Sequence, residues 1–175
     1  METYTDYKPF VPNPHFKAER QMALDNLDLN LVDCPLKNLV KRINKLPYIF
    51  TLQCCHGHFL NKDGDEISIL DFSESNELVD YRLAYIAFSI DDNFSGRNIR
   101  QSLINIPSSI DPNNVQFCSA EWFWDQWLNT YALQIMPERL KDRDKARLEH
   151  AEAREIGKVR DDFFVHLEDF IVRLH

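Results

Sequence analysis

The sequence predicts an α+β domain: a mostly antiparallel sheet of about five strands, helices on one face, and a long C-terminal helix. Three observations carry that expectation. Apolar, β-branched and aromatic runs begin at Ile49 and fill residues 82–90, 115–123 and 131–136. Between them lie segments whose apolar residues recur at three- and four-residue steps, at 35–45, 95–106 and 156–174. The last two strand-like runs are separated only by a short stretch around Asp125-Gln126-Trp127, which suits a paired hairpin better than a crossover.

Taken in chain order, residues 1–14 hold Pro9, Pro12 and Pro14 among aromatics and read as an extended arm over the surface. Phe16, Met22, Ala23 and Leu27 space a first helix over 16–27. Asp33 precedes Cys34-Pro35, and proline suits the first turn of the helix marked by Leu36, Leu39, Val40 and Ile43. Pro47 ends it and leads into the strand Ile49-Phe50-Thr51-Leu52. Asn61-Lys62-Asp63-Gly64-Asp65 is turn chemistry. A short strand is expected over 67–72, then a polar connection or brief helix over 74–78. Residues 82–90, the longest apolar run, read as a central strand. Ile99, Leu103 and Ile106 are in phase on a helix from Ser95 that Pro107 should close, and Asp111-Pro112-Asn113-Asn114 reads as a turn. Ile156, Val159, Phe163, Leu167, Phe170 and Leu174 make an apolar stripe on the C-terminal helix, whereas 138–155 alternates in charge and reads as a solvated or projecting helix. The expected organisation is one domain, residues 1–137 with their arm, carrying 138–175 as a helix packed on it.

The composition bounds the function. With 175 residues, 44% hydrophobic and 12% aromatic, the chain can build a real core. No basic start followed by an apolar run marks a signal peptide, and no run is long enough to cross a bilayer, so a cytoplasmic protein with no membrane partner is expected. Four cysteines without framework spacing, two of them adjacent, suit reduced thiols. The net charge is −8. Residues 138–175 hold nine basic and ten acidic groups, so the other 11 basic and 18 acidic groups leave −7 before them. That part repels polyanions on average, which opposes RNA as a partner and favours a small molecule. With four glycines in all, no glycine-rich phosphate loop is present.

Reactive groups concentrate at one place, Cys54-Cys55-His56-Gly57-His58, at the end of the first strand. Cys55, His56 and His58 are the candidate catalytic groups, with either thiol a nucleophile if a neighbouring imidazole lowers its pKa. Thr51 beneath and Gly57 between are candidate ligand-binding positions. On an unbroken strand Cys54, His56 and His58 would share a face and suit zinc. The bland alternative is a packed core thiol followed by loop histidines. Trp122 and Trp124, with Phe123 and Trp127, are candidates for stacking a ligand; core packing or a homodimer contact is the competing reading.

Phe16 to Arg20, Ala23-Leu24, Leu27-Asp28, Val32-Asp33, Leu39-Val40, Ile43-Asn44, Pro47, Phe50-Thr51, Cys55 and Gly57 together resemble the N-terminal half of the wybutosine-synthesis tRNA methyltransferase family, the third protein of that pathway. The family's signature is Thr-x-Ser-Cys-Ser-Gly-Arg at the end of a strand. Here the eight residues Thr51 to His58 stand in place of its seven, with Gln53, Cys54 and His56 replacing its two serines and His58 its arginine. The resemblance implies S-adenosylmethionine as cofactor and methyl transfer to tRNA. The departures remove an arginine fork that binds phosphate or carboxylate bidentately, which histidine cannot replace. The alternative on the same scaffold is a non-catalytic metal- or ligand-binding protein, with zinc as the ion.

Overall fold

The computed structural model of the chain describes residues 4–71 and 78–174. Helix α1 spans Phe16–Asp25 and α2 spans Lys37–Ile43, entered through a 3-10 turn at Cys34–Leu36 that uses Pro35 at its start. Strand β1 is Ile49–Cys55, β2 His58–Leu60, β3 Leu78–Arg82 and β4 Ala84–Ile90. Helix α3 (Phe94–Ile110), β5 (Val115–Ser119), β6 (Thr130–Ile135), β7 (Lys145–Glu149) and α4 (His150–Val172) complete the chain.

The α+β class and the antiparallel pairing are as expected. The strands, however, divide into a four-stranded sheet, order β1-β4-β6-β5, and a three-stranded sheet, order β2-β3-β7. The run 82–90 is not one strand, because the chain leaves one sheet and enters the other at Leu83. Tyr81, fully buried, holds that corner: its hydroxyl donates to the Ile135 carbonyl (2.8 Å) and accepts from the Ala84 N–H (3.1 Å). Three core helices lie together, since α4 touches both α2 and α3. Every residue of β4, β5 and β6 is buried, as strands in the middle of a core should be.

Four other expectations change. Residues 67–71 form no strand; Glu66 bridges Leu60 and Ser68–Asp71 is a turn, while the second strand lies earlier, at β2. The rest of that expected strand, at Phe72, and most of the connection after it lie outside the described residues. Helix α3 continues past Pro107 to Ile110, where the Ser109 hydroxyl donates to the Ile106 carbonyl (2.8 Å). A proline that near the helix end costs little of the ladder. The run 115–123 stops as a strand at Ser119, and a 3-10 turn succeeds it at Glu121–Phe123. Of the stretch 138–155 only the residues from His150 are helical; before them Ala146 and Leu148 are buried while Lys145, Arg147 and Glu149 face water, a period of two that makes β7 and joins it to β3. Charge alternation there is strand alternation.

The arm is extended, as its prolines suggest, and lies against β5 and the loop before β6. Lys8 donates its N–H to Ser119 Oγ (2.7 Å), and Asn129 exchanges two hydrogen bonds with the Val11 backbone (both 2.9 Å). The Arg100 guanidinium lies over the rings of Tyr7, Phe10 and Tyr131. Among the described residues, no helix is long and apolar enough to cross a membrane.

Candidate functional site

Strand β1 pairs with β4, and its register slips at Leu52: Thr51 faces Phe88, yet Gln53 faces Ala87. Such a bulge bends the strand and re-aims the side chains beyond it. Before it, Thr51 is tied to the end of α2 by one side chain. Asn44 accepts the Thr51 N–H (2.9 Å) and donates to Thr51 Oγ1 (2.8 Å), so helix and strand meet at a fixed angle.

Beyond the bulge the strand borders a cleft of about 570 Å³ lined by Thr51, Leu52, Gln53 and Cys54. Its other walls include Met22, Ala23 and Leu27 from α1, Leu31 and Val32 from the loop after it, and Phe123 and Trp127 from beyond β5. The lining is mostly apolar, with Asn26, Asp28, Thr51 and Gln53 as polar points, the composition of a small-molecule site. Leu31 is 86% exposed, the largest exposure of any big apolar side chain described, and it lies on this rim.

Cys54 and Cys55 leave the strand on opposite sides. Cys54 lines the large cleft, whereas Cys55 borders a smaller hollow with Arg82, Tyr85 and Asp144. Burial pushes the Cys54 thiol up to about 12, with Asp33 and Cys55 adding to it. Burial also raises Cys55, opposed by the Gly57 N–H and reinforced by Asp33. Both thiols are therefore protonated at neutral pH, which weakens the expectation of a free cysteine nucleophile.

Gly57 then turns the chain in the left-handed region, at φ +83°. Its carbonyl accepts from Arg160 Nη1 (3.2 Å), and that guanidinium is paired with Asp161 (2.8 Å) over the Phe59 ring. His56 points towards α4: its ring stacks on Phe164 at 5.3 Å and its Nε2 lies 3.9 Å from Asp161. Burial, then the nearby Arg160, lowers its pKa, so the imidazole is neutral. Together with Gly57 it borders a second, polar cleft of about 540 Å³ with Glu66, Ser68, Asp71 and Arg160.

His58 turns back towards Cys55. Its Nδ1 is 2.7 Å from Glu66 Oε1, and its Nε2 is 3.8 Å from Asp33 Oδ2. The same Asp33 oxygen accepts the His56 N–H at 2.7 Å. Ligand atoms of Asp33, Cys55 and His58 lie within 4.8 Å of one another, a group able to hold a metal ion. The expected set of Cys54, His56 and His58 does not assemble, because Gly57 breaks the strand phase on which it depended. Asp33 and Glu66 join the site without having been expected there; the only sequence signal was a carboxylate directly before Cys34-Pro35.

Of the tryptophans, Trp122 reaches the site, donating Nε1–H to Gln53 Oε1 (3.1 Å) and meeting Tyr85 edge to face. Trp124 does not: its Nε1–H goes to the Thr130 carbonyl (3.0 Å) and its ring lies under Lys8. Trp127 packs on Phe50 and lines the large cleft.

No protein-family model matches the chain, and no curated protein matches it. Among solved structures it is similar to the PH1069 protein from Pyrococcus horikoshii, with a TM-score of 0.55 at 14% identity, covering 92% of this chain and 96% of that one. A second structure of PH1069, from Pyrococcus horikoshii OT3, gives 0.44 at 14% identity over 95% of each chain. A hypothetical protein from Aeropyrum pernix gives 0.40 at 11% identity, covering 78% of this chain and 98% of that one. At such identities the likeness to the first PH1069 structure speaks to the fold.

Proposed function

We propose that the chain binds S-adenosylmethionine or a closely similar nucleoside in the cleft along β1, as a divergent relative of the wybutosine methyltransferase family. The observation that carries this is the coincidence of cleft and signature. The 570 Å³ hollow is floored by Thr51 to Cys54, the stretch that resembles the family's motif. Its volume falls in the range of about 300–1,000 Å³ usual for ligand pockets. The aromatic wall of Phe123 and Trp127 can stack an adenine, and Asp28 or Asn26 can accept or donate to ribose hydroxyls.

Bound there, S-adenosylmethionine would supply a methyl group activated by its sulfonium, with Thr51 to Cys54, Phe123 and Trp127 holding it. His56, although neutral, faces α4 and the polar cleft rather than this hollow, so any base for such a transfer comes from elsewhere. Lys41 on α2 and Lys45 in the turn after it are exposed and Lys37 is half-buried, whereas Arg42 is paired with Glu168 at 3.3 Å. That stripe is thin for tRNA given the charge of −8.

Calorimetric titration with S-adenosylmethionine, beside the Ala23→Trp variant whose indole would fill the cleft, tests the reading. One-to-one binding weakened at least tenfold by Ala23→Trp is expected. Absence of binding at millimolar ligand, or equal binding by the variant, overturns it. Zinc in a parallel titration reports on the second reading, an ion-binding protein on the same scaffold.

A further inference from the structure

We propose that Asp33, Cys55 and His58 form a zinc site with one open position, its histidine oriented by Glu66. This stands apart from the methyl-donor cleft and does not depend on it.

The donor set is the first argument. A thiolate, an imidazole and a carboxylate from three separate places in the chain form a borderline-soft shell suited to zinc rather than to calcium or magnesium. Asp33 comes from the loop before the 3-10 turn, Cys55 from the end of β1, and His58 from the start of β2. Their ligand atoms already lie within 4.8 Å of one another, and the His58–Asp33 separation is 3.8 Å. Tetrahedral bonds of 2.0–2.3 Å place neighbouring ligand atoms about 3.4 Å apart. The three groups need to close by an ångström or so, which side-chain rotation supplies.

The second argument is the histidine's other nitrogen. Glu66 holds Nδ1 at 2.7 Å. With Nδ1–H donating to that carboxylate, Nε2 is left as the lone-pair nitrogen, and Nε2 is the atom that faces Asp33. A carboxylate behind a ligating imidazole is the usual companion of a protein-bound metal. Two neighbouring devices fix the frame: the Asp33 carboxylate is already pinned by the His56 N–H, and Arg160 holds the Gly57 carbonyl between Cys55 and His58. Asp33 and His58 are each about one-third exposed, so the ion can enter and a water can take the fourth position.

Binding replaces the thiol proton with the ion: Cys55 ligates as thiolate and one proton is released to solvent. The test uses the full chain, free of any histidine tag, stripped with chelator and titrated with zinc, then with cobalt(II) as the spectroscopic substitute. Expected are one-to-one zinc binding and a cobalt complex showing both tetrahedral visible bands and a thiolate-to-cobalt charge-transfer band. Cys55→Ser should remove the charge-transfer band, His58→Ala should weaken zinc by at least tenfold, and Glu66→Gln by about 10–100-fold. Cys54→Ser and His56→Ala should leave zinc affinity unchanged. Circular dichroism of each variant separates loss of a ligand from loss of the fold. Absence of one-to-one binding at micromolar zinc, a cobalt complex without the thiolate band, or loss of binding in folded Cys54→Ser rather than folded Cys55→Ser overturns the proposal. None of these readouts involves the methyl donor, so failure of either proposal is visible without the other.

Discussion

Gly57→Ala is the substitution that loads the site's geometry most directly, and the structure supplies its own control. Gly57 has φ +83° and Gly64 has φ +85°, so an alanine at either position sits in the same left-handed region. That conformation costs an L-residue about 1–2 kcal/mol. The two positions differ in space. A Cβ on Gly57 would lie 2.6 Å from Ala84 Cβ, 3.1 Å from Ala84 Cα and 3.2 Å from Ala84 N, whereas nothing lies within 4 Å of one on Gly64. Ala84 is fully buried at the start of β4 and cannot step aside without moving a central strand. Overpacking of that kind adds about 1–3 kcal/mol. Gly57→Ala should therefore cost about 2–5 kcal/mol and Gly64→Ala about 1–2 kcal/mol. The reduced freedom of the unfolded chain is common to both and cancels in the difference. Urea unfolding at constant m-value reads each cost, and the melting temperature should shift by about 2–4 °C per kcal/mol. Equal destabilisation by the two variants, within about 0.5 kcal/mol, would refute the packing of the turn against Ala84.

The frame around the site yields two further outcomes. Asn44→Ala removes the acceptor of the half-buried Thr51 N–H and should cost about 1–3 kcal/mol in urea unfolding, while Thr51→Val, which loses only the hydroxyl contact, should cost about 0.5–1.5 kcal/mol. On the alkaline side, burial pushes the Cys118 thiol up from its ordinary value of 9.0 to about 12. A raised folded pKa gives stability that is complete below pH 9 and is lost as pH climbs towards 12, so the fall in stability across that window should be shallower in Cys118→Ala.

How much of the fold was legible depends on which signals were local. The helices at 35–45 and 156–174 were readable because Leu39, Val40 and Ile43, or Ile156, Phe163 and Leu167, bury one face at a helical period. The hairpin of β5 and β6 was readable from two apolar runs with a short link. The division into two sheets was not: the chain crosses between them at His56-Gly57, at Leu83 and between β6 and β7, and at Leu83 no glycine or proline marks the change. Strand β7 was hidden by its charges: Lys145, Arg147 and Glu149 read as a solvated face until Ala146 and Leu148 are seen to be the buried half of a strand. Periodicity of two over five residues is short enough to lose against the helix directly after it.

The site was legible as a location and illegible as an arrangement, and the reason lies in three adjacent residues. A strand sends alternate side chains to opposite faces, so Cys54, His56 and His58 should have shared one. Pairing of β1 ends at Cys55, and Gly57 breaks the strand phase with a dihedral open to glycine before the chain runs on into β2. A three-way split results: Cys54 stays with the apolar cleft, His56 is carried to α4 and Phe164, and His58 returns to the side of Cys55. Asp33 completes that side from a loop 22 residues before Cys55, a separation that no local pattern encodes. The same loop delivers Val32 to the cleft and Asp33 to the donor group, just as β1 delivers Cys54 to one and Cys55 to the other. The two candidate sites thus adjoin along two segments, the Val32-Asp33 loop and the end of β1, one residue apart in each.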